Sequence, residues 1–319
     1  MPSTRSQPNI LAGPYLNRAA QWRRDEALLL SALADPQTLI VPVWRTQNLI
    51  ARDGAAVARF VNGIDTLGDV DPAELILLGE FRGQVCFALE MPADRPPAID
   101  STAQFRDLRS LAGELPRDEA GLLAYARAMI LWRERHRFCG RCGAPTVAAQ
   151  AGHVLKCSDD VCGNQQFPRI DPAVIVLITD GERALLGRQA EWPAGRYSTI
   201  AGFVEPGESL EDAVVREVME ETGVVVDTVD YHSSQPWPFP SSLMLGFTAH
   251  ATTTDIHLHD AELEDARWLD RDQIAAGEVS LPTTHSISFR LIEDWFDADA
   301  VRPLREEPNA RLWTAPSQR

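Results

Sequence analysis

Glu217, Glu220 and Glu221 fall at i, i+3 and i+4 within the run GFVEPGESLEDAVVREVMEETGV, which extends from Gly202 to Val224. On a helix these three carboxylates share one face, and like charges at that spacing repel. Divalent cations relieve that repulsion, and hard carboxylate oxygens suit Mg²⁺ or Mn²⁺ best. The chemistry within reach is the binding of one or more such cations by a cluster of hard oxygen ligands. Three glutamates alone would equally describe a solvated acidic helix face.

The elements that must position them are legible in the same run. The spacing predicts a helix from Ser209 to Thr222, with Ser209 capping its start and Gly223 in a left-handed position past its end. Val214 and Val218 fall on an adjoining face suited to packing on a sheet. The full spacing is Gly-x5-Glu-x7-Arg-Glu-U-x-Glu-Glu-x-Gly-U, with U aliphatic, and every fixed position is filled. It resembles the Nudix box. The resemblance implies an α/β fold, an α/β/α sandwich on a mixed sheet. It also implies hydrolysis of a nucleoside diphosphate linked to another moiety.

Upstream lie Cys139-Gly-Arg-Cys142 and Cys157-Ser-Asp-Asp-Val-Cys162, four of the five cysteines of the chain. In a reducing compartment, close pairs of this kind are metal ligands sooner than disulfides. Four thiolates leave no open position on Zn²⁺, so the metal would be structural. The second pair has four intervening residues where two are usual, which predicts a wider knuckle. Gly140 and Gly143 allow sharp turns there. Cys86, in the apolar run VCFAL, reads as a buried thiol without chemistry.

Downstream of the box stands Ser234-Gln235-Pro236-Trp237-Pro238-Phe239-Pro240-Ser241-Ser242. Three prolines stiffen this loop, so Trp237 and Phe239 are presented at low ordering cost to stack on a base. Gln235 and the serines can hydrogen-bond ribose or phosphate; packing on a core is the structural alternative. SQPWPFPxS after the box, with four cysteines before it, resembles the NADH pyrophosphatases of the Nudix superfamily. That resemblance covers about Phe138 to Trp295. It implies an NAD(H) diphosphatase releasing AMP and nicotinamide mononucleotide, a homodimer, and NAD-capped RNA as a further substrate.

Carried over by position, the resemblance makes Glu217, Glu220 and Glu221 catalytic. Metal would be held by Glu217, Glu220, Glu221, Glu262 and the carbonyl of Ala201, and Glu220 would ligate metal or activate water. Zinc falls to Cys139, Cys142, Cys157 and Cys162. Substrate falls to Gln235, Pro236, Trp237, Pro238, Phe239, Pro240, Ser241 and Ser242, and to Phe167, Phe203, Ser288 and Arg109. Phe167 stands where the family often has tyrosine, so stacking survives and a hydroxyl is lost. Arg216 is expected to orient the box carboxylates instead of touching substrate.

The remaining sequence sets the frame. The 319 residues carry a net charge of −16 and are 45% hydrophobic, enough for two cores. Such an acidic surface repels nucleic acid and anionic membranes. No run approaches a membrane span, and the first residues lack a signal-peptide core, so a cytoplasmic protein is expected. The expected organisation is an N-terminal α+β domain over 1–137, a zinc ribbon over 138–167, a Nudix domain over 168–300 and a peripheral tail over 301–319. The first residues, to about Ala20, read as an irregular arm, followed by a helix over Trp22 to Ala34. Strands are expected over Thr38 to Trp44 and over Leu75 to Met91, the latter turning at Arg82-Gly83. An amphipathic helix is expected over Asp118 to Arg137. In the catalytic segment, strands are expected over Ala173–Thr179, Arg183–Arg188, Thr228–Ser233, Leu243–Thr252 and Glu264–Leu269, and a closing helix over Ser286–Phe296. Gly63 and Gly68 form no dinucleotide fingerprint. Two other functions compete: a Nudix hydrolase of ADP-ribose or another dinucleotide, and a zinc-ribbon binding protein with an inactive Nudix domain. The intact glutamates speak against the second.

Overall fold

The strand Asp171–Thr179 is buried along nearly its whole length, and its side chains alternate between two cores. Val174, Val176 and Ile178 pack with Ala213, Val214 and Val218. Ile175 and Leu177 pack with Ile287, Leu291 and Ile292. The helices Leu210–Thr222 and Ile287–Asp299 therefore cover opposite faces of one sheet. In this computed structural model the described residues are 4–68, 70–92, 94, 99–259 and 262–313. The sheet order is Val226–Trp237, Ser242–Ala251, Asp171–Thr179, Ala184–Arg188, Asp265–Leu269, with Ile200–Phe203 also paired to Asp171–Thr179. Asp171–Thr179 runs parallel to Ser242–Ala251 and antiparallel to Ala184–Arg188, so the sheet is mixed. This is the α/β/α sandwich that the box implied.

The chain divides into two compact units. One comprises Met1–Ala12, Asp171–Pro236 and Ser242–Arg319; the other comprises Gly13–Ile170 and Trp237–Ser241. The first residues thus pack with the box-bearing unit. Asn9 Nδ2 donates to Ser233 Oγ at 3.1 Å and to the Ser234 carbonyl at 2.9 Å. Arg290 Nη1 donates to the carbonyl of Arg5 and to Asn9 Oδ1. Sequence periodicity had no means of finding this, since the partners lie more than 220 residues apart.

The second unit carries a seven-stranded sheet with the path Ala55–Ala58, Gln47–Asp53, Leu39–Trp44, Gln84–Glu90, Leu75–Phe81. Arg82 and Gly83 both adopt positive φ, as a two-residue hairpin turn requires. The strand Gln47–Asp53 was not expected. It follows an equally tight turn built from Arg45 and Thr46, both at positive φ, where no glycine or asparagine announces it. The helix predicted from Trp22 begins as a 3₁₀ turn, Ala20–Arg24, and restarts at Glu26 because Asp25 caps a new N-terminus by accepting from Leu28 N. The helix Arg117–Arg135 buries the expected Leu122, Leu123, Ala126, Met129 and Ile130. It also buries Glu119, Arg127 and Arg133, which an amphipathic reading had assigned to solvent. Glu119 is satisfied there by Ala58 N and Arg82. Cys86 is fully buried, and burial pushes its thiol up. Among the described residues no helix is long and apolar enough to cross a membrane.

Candidate active site and zinc centre

The box begins with a close approach. Gly202 lies on the strand Ile200–Phe203, paired with Val174. A Cβ at Gly202 would fall 1.9 Å from the carboxyl carbon of Glu217. Only the missing side chain lets that carboxylate lie against the strand. The helix that brings it there is capped at both ends. Ser209 Oγ accepts from Asp212 N at 3.1 Å and Asp212 returns the bond in a capping box. Gly223 ends the helix at φ 70.

Arg216 organises the acidic groups. Its Nε lies 2.5 Å from Glu208 Oε1 and its Nη2 lies 3.0 Å from Oε2. Its Nη1 reaches Glu217 at 2.9 Å and Glu220 at 3.0 Å, and its Nη2 also donates to the Phe203 carbonyl. Glu208 accepts from Glu205 N as well, so the loop and the helix close on one guanidinium. That hydrogen-bonded pair, with the backbone donor, brings the Glu208 carboxyl down to about 2. Arg216 thus orients carboxylates, as the sequence suggested.

Glu217 and Glu221 are buried at 8% and 3% exposure, whereas Glu220 is open to solvent. Burial raises the Glu217 carboxyl above its ordinary range; hydrogen bonding to Arg216 opposes this, and the charges of Glu220 and Glu262 add to it. Glu262 is exposed and electrostatically coupled to the box although it lies 45 residues away in sequence. The segment beside it is fastened by Arg188, whose side chain pairs with Glu264 and whose carbonyl accepts from Glu264 N at 2.9 Å. Ala201 is exposed next to Gly202. Hard oxygens from buried, mutually repelling carboxylates are the donor set that a small divalent cation takes, so these residues fit such an ion. Among the described residues no three carboxylates of the box come within 4.8 Å of one another, and Glu208, Glu217 and Glu220 pair with Arg216.

The cysteines do converge. The sulfurs of Cys139, Cys142, Cys157 and Cys162 all lie within 4.8 Å of one another. Cys139 to Cys162 is 3.8 Å and Cys142 to Cys157 is 3.4 Å. Four Zn–S bonds of about 2.3 Å in a tetrahedron place sulfurs about 3.8 Å apart, so the site fits zinc. The wider second knuckle closes because Asp159 Oδ1 accepts from both Val161 N and Cys162 N. Of the two glycines in the first knuckle, only Gly143 uses a positive φ. Backbone amides of Arg141 and Cys142 lower the Cys139 thiol to about 6, and burial pushes Cys157 up to about 12. Cys142→Ser should cost the protein its metal and lower its Tm, because structural zinc is coupled to folding. Elemental analysis finding no zinc in fully active wild-type protein would contradict this assignment.

The SQPWPFPSS segment is less of a loop than expected. The strand Val226–Trp237 runs into it and Ser242–Ala251 leaves it, so only Pro238 to Ser241 form the turn. Gln235 is 1% exposed. Its Nε2 donates to the carbonyls of Ile10 and His285, and its Oε1 accepts from Ile287 N. The amide that the sequence offered to substrate is engaged by backbone. Trp237 and Phe239 are partly exposed and pack edge to face, with centroids 5.1 Å apart. Arg109 lies 5.8 Å from the centre of the Trp237 ring. Ser288 is buried in a hydroxyl cluster with Ser198 and Thr199. Phe167 and Phe203, each in its own unit, are both 62% exposed and available for stacking. Pro236 and Ser242 flank the tip in the first unit, and Pro240 is exposed at its end.

A loop and capped helix bearing this set of carboxylates on a mixed-sheet sandwich define a Nudix hydrolase domain, and a family model described as the NUDIX domain matches residues 169–295. Residues 37–132 match the NADH pyrophosphatase-like rudimentary NUDIX domain, and residues 134–167 match the NADH pyrophosphatase zinc ribbon domain. A protein of Mycobacterium bovis named NAD-capped RNA hydrolase NudC is 41% identical over 304 residues, covering 88% of this chain and 94% of that one. Its namesake in Stutzerimonas stutzeri is 42% identical over 228 residues, covering 71% and 79%. Human NAD-capped RNA hydrolase NUDT12 is 42% identical over 197 residues, covering 57% of this chain and 43% of that longer protein. The chain belongs to the NADH pyrophosphatase family of the Nudix superfamily.

Proposed function

We propose that this protein hydrolyses the pyrophosphate of NAD(H) to AMP and nicotinamide mononucleotide, and by the same cut removes an NAD cap from RNA. The observation that carries the reading is the Gly202–Glu217 approach, which fixes a buried carboxylate beside Glu221 on a helix face that Arg216 braces. The relatives named NAD-capped RNA hydrolases supply the substrate class. Glu217, Glu221, Glu262 and the Ala201 carbonyl would hold Mg²⁺ or Mn²⁺. When bound, the cations shield the pyrophosphate charge and acidify water. Glu220, the exposed member of the box, accepts the proton of the attacking water. Arg216 keeps Glu217 and Glu220 from swinging away while charge builds on phosphate. Water adds to one phosphorus, the bridging P–O bond breaks, and the other phosphate leaves with the bridging oxygen.

Within the unit that holds Trp237–Ser241, the faces of Trp237, Phe239 and Phe167 suit a nucleoside and Arg109 supplies a cation; within the box-bearing unit Phe203 offers a further face. The protein acts in the cytoplasm as a homodimer, an arrangement that light scattering at micromolar concentration reads directly. The competing reading, ADP-ribose as substrate, shares the box but has no use for the hairpin. A turnover panel of NADH, NAD⁺, ADP-ribose and NAD-capped RNA, with products identified, separates them. NADH or the capped RNA should lead. Faster turnover of ADP-ribose than of either would remove the proposal.

A further inference from the structure

Arg127 is a buried cation that pairs with carbonyls. It lies on the helix Arg117–Arg135 and is 9% exposed. Its Nε donates to the Thr46 carbonyl at 2.9 Å, and its Nη1 donates to the Pro238 carbonyl. Its guanidinium carbon stands 4.8 Å from the centre of the Phe239 ring. Withdrawing a guanidinium from water is costly unless its hydrogens are all well placed. Here the placement is specific. One nitrogen is anchored at the turn of Arg45 and Thr46, and another holds the hairpin tip Trp237–Ser241, which lies in the same unit as Arg127.

The contacts form a chain of support. Arg127 fixes the backbone at Pro238 and the ring of Phe239. Phe239 meets Trp237 at 79°, edge to face. Arg109 approaches the Trp237 ring. A planar fork can reach two carbonyls in divergent directions while lying over a ring, whereas an ammonium on a flexible stem cannot do all three.

We propose that Arg127 is a positioning residue for substrate recognition: it sets the tip Trp237–Ser241 so that the Trp237 face is ready for the nicotinamide half of the dinucleotide. This rests on the reading that the hairpin touches substrate. It also gives the helix Arg117–Arg135, which carries none of the box carboxylates, a part in specificity. Preorganisation of this kind acts on binding more than on the chemical step.

The test is a double-mutant cycle on the full-length, metal-loaded enzyme, with NADH and ADP-ribose as substrates. Arg127→Lys should raise KM for NADH roughly tenfold, with kcat within about threefold and a smaller change for ADP-ribose. Trp237→Ala should raise KM for NADH by at least as much. The double variant should be no worse than Trp237→Ala alone, because both changes act through one contact. Phe239→Leu, which keeps bulk and removes the ring under the guanidinium, should repeat the Arg127→Lys pattern even if the lysine variant folds poorly. Independent, additive losses would overturn the proposal, as would wild-type KM in Arg127→Lys, or wild-type KM in Phe239→Leu if the lysine variant does not fold. If either of these arises while Trp237→Ala is impaired, the hairpin reading stands and only the role of Arg127 falls. If Trp237→Ala itself keeps wild-type KM, the hairpin reading falls and takes this proposal with it.

Discussion

Gly202→Ala is expected to lower kcat about a hundredfold or more while the protein stays folded. The new methyl group would occupy the place of the Glu217 carboxylate, 1.9 Å from its carbon and one of its oxygens. What must move is the free end of a rotatable side chain, so the fold gives way cheaply and the active site does not. The backbone at Gly202 is not left-handed, and alanine can keep its pairing with Val174. Tm should therefore stay within a few degrees of wild type. Gly223→Ala makes the contrast. There φ is 70 and a Cβ would sit 2.9 Å from the Cβ of His257, so that variant should lose about 1 kcal/mol or more of stability. Wild-type turnover in Gly202→Ala would mean that the position of the Glu217 carboxylate does not matter.

Glu217→Gln should be as damaging to turnover, again about a hundredfold or more, by removing a charge without changing size. Its effect on stability should have the opposite sign. Burial raises the folded-state pKa of Glu217 above its ordinary 4.5. The stabilisation linked to such a group is present below the unfolded value and is lost as pH rises through the folded value. At neutral pH the ionised carboxylate is therefore a cost, which glutamine removes. Melts in chelator at pH 7 should find the variant at least as stable as wild type, and the difference should shrink toward pH 4.5. A variant that is less stable at pH 7, or that keeps its kcat, contradicts this account. Glu220→Gln, at a half-exposed side chain, should lose similar activity with no change in Tm.

These cases show where sequence suffices. The box helix was legible because its signals are local: a cap at Ser209, a terminator at Gly223, valines at helical spacing and carboxylates on one face. The strands Asp171–Thr179 and Ser242–Ala251 were legible as apolar runs. Other features are made by distance. The amide of Gln235, which its place in the sequence offers to substrate, has backbone partners at Ile10, His285 and Ile287. Ser288 is buried against Ser198 and Thr199, 90 and 89 residues away. Arg127 carries no signature at all, because a lone arginine in a helical run normally faces water. The wide cysteine pair was ambiguous because its shape depends on one side chain, Asp159, folding back on the turn. Local chemistry writes itself into spacing, whereas tertiary fastening does not.

The central claim is that the box carboxylates direct water onto the pyrophosphate of a nicotinamide dinucleotide. Hydrolysis of NADH with Mg²⁺ or Mn²⁺ in water enriched in heavy oxygen tests it most directly. The account predicts AMP and reduced nicotinamide mononucleotide in equal amounts, with one labelled oxygen on the phosphate of one product, and loss of both products in Glu217→Gln. Release of free nicotinamide, label on ribose, or an unchanged rate in Glu217→Gln would contradict it.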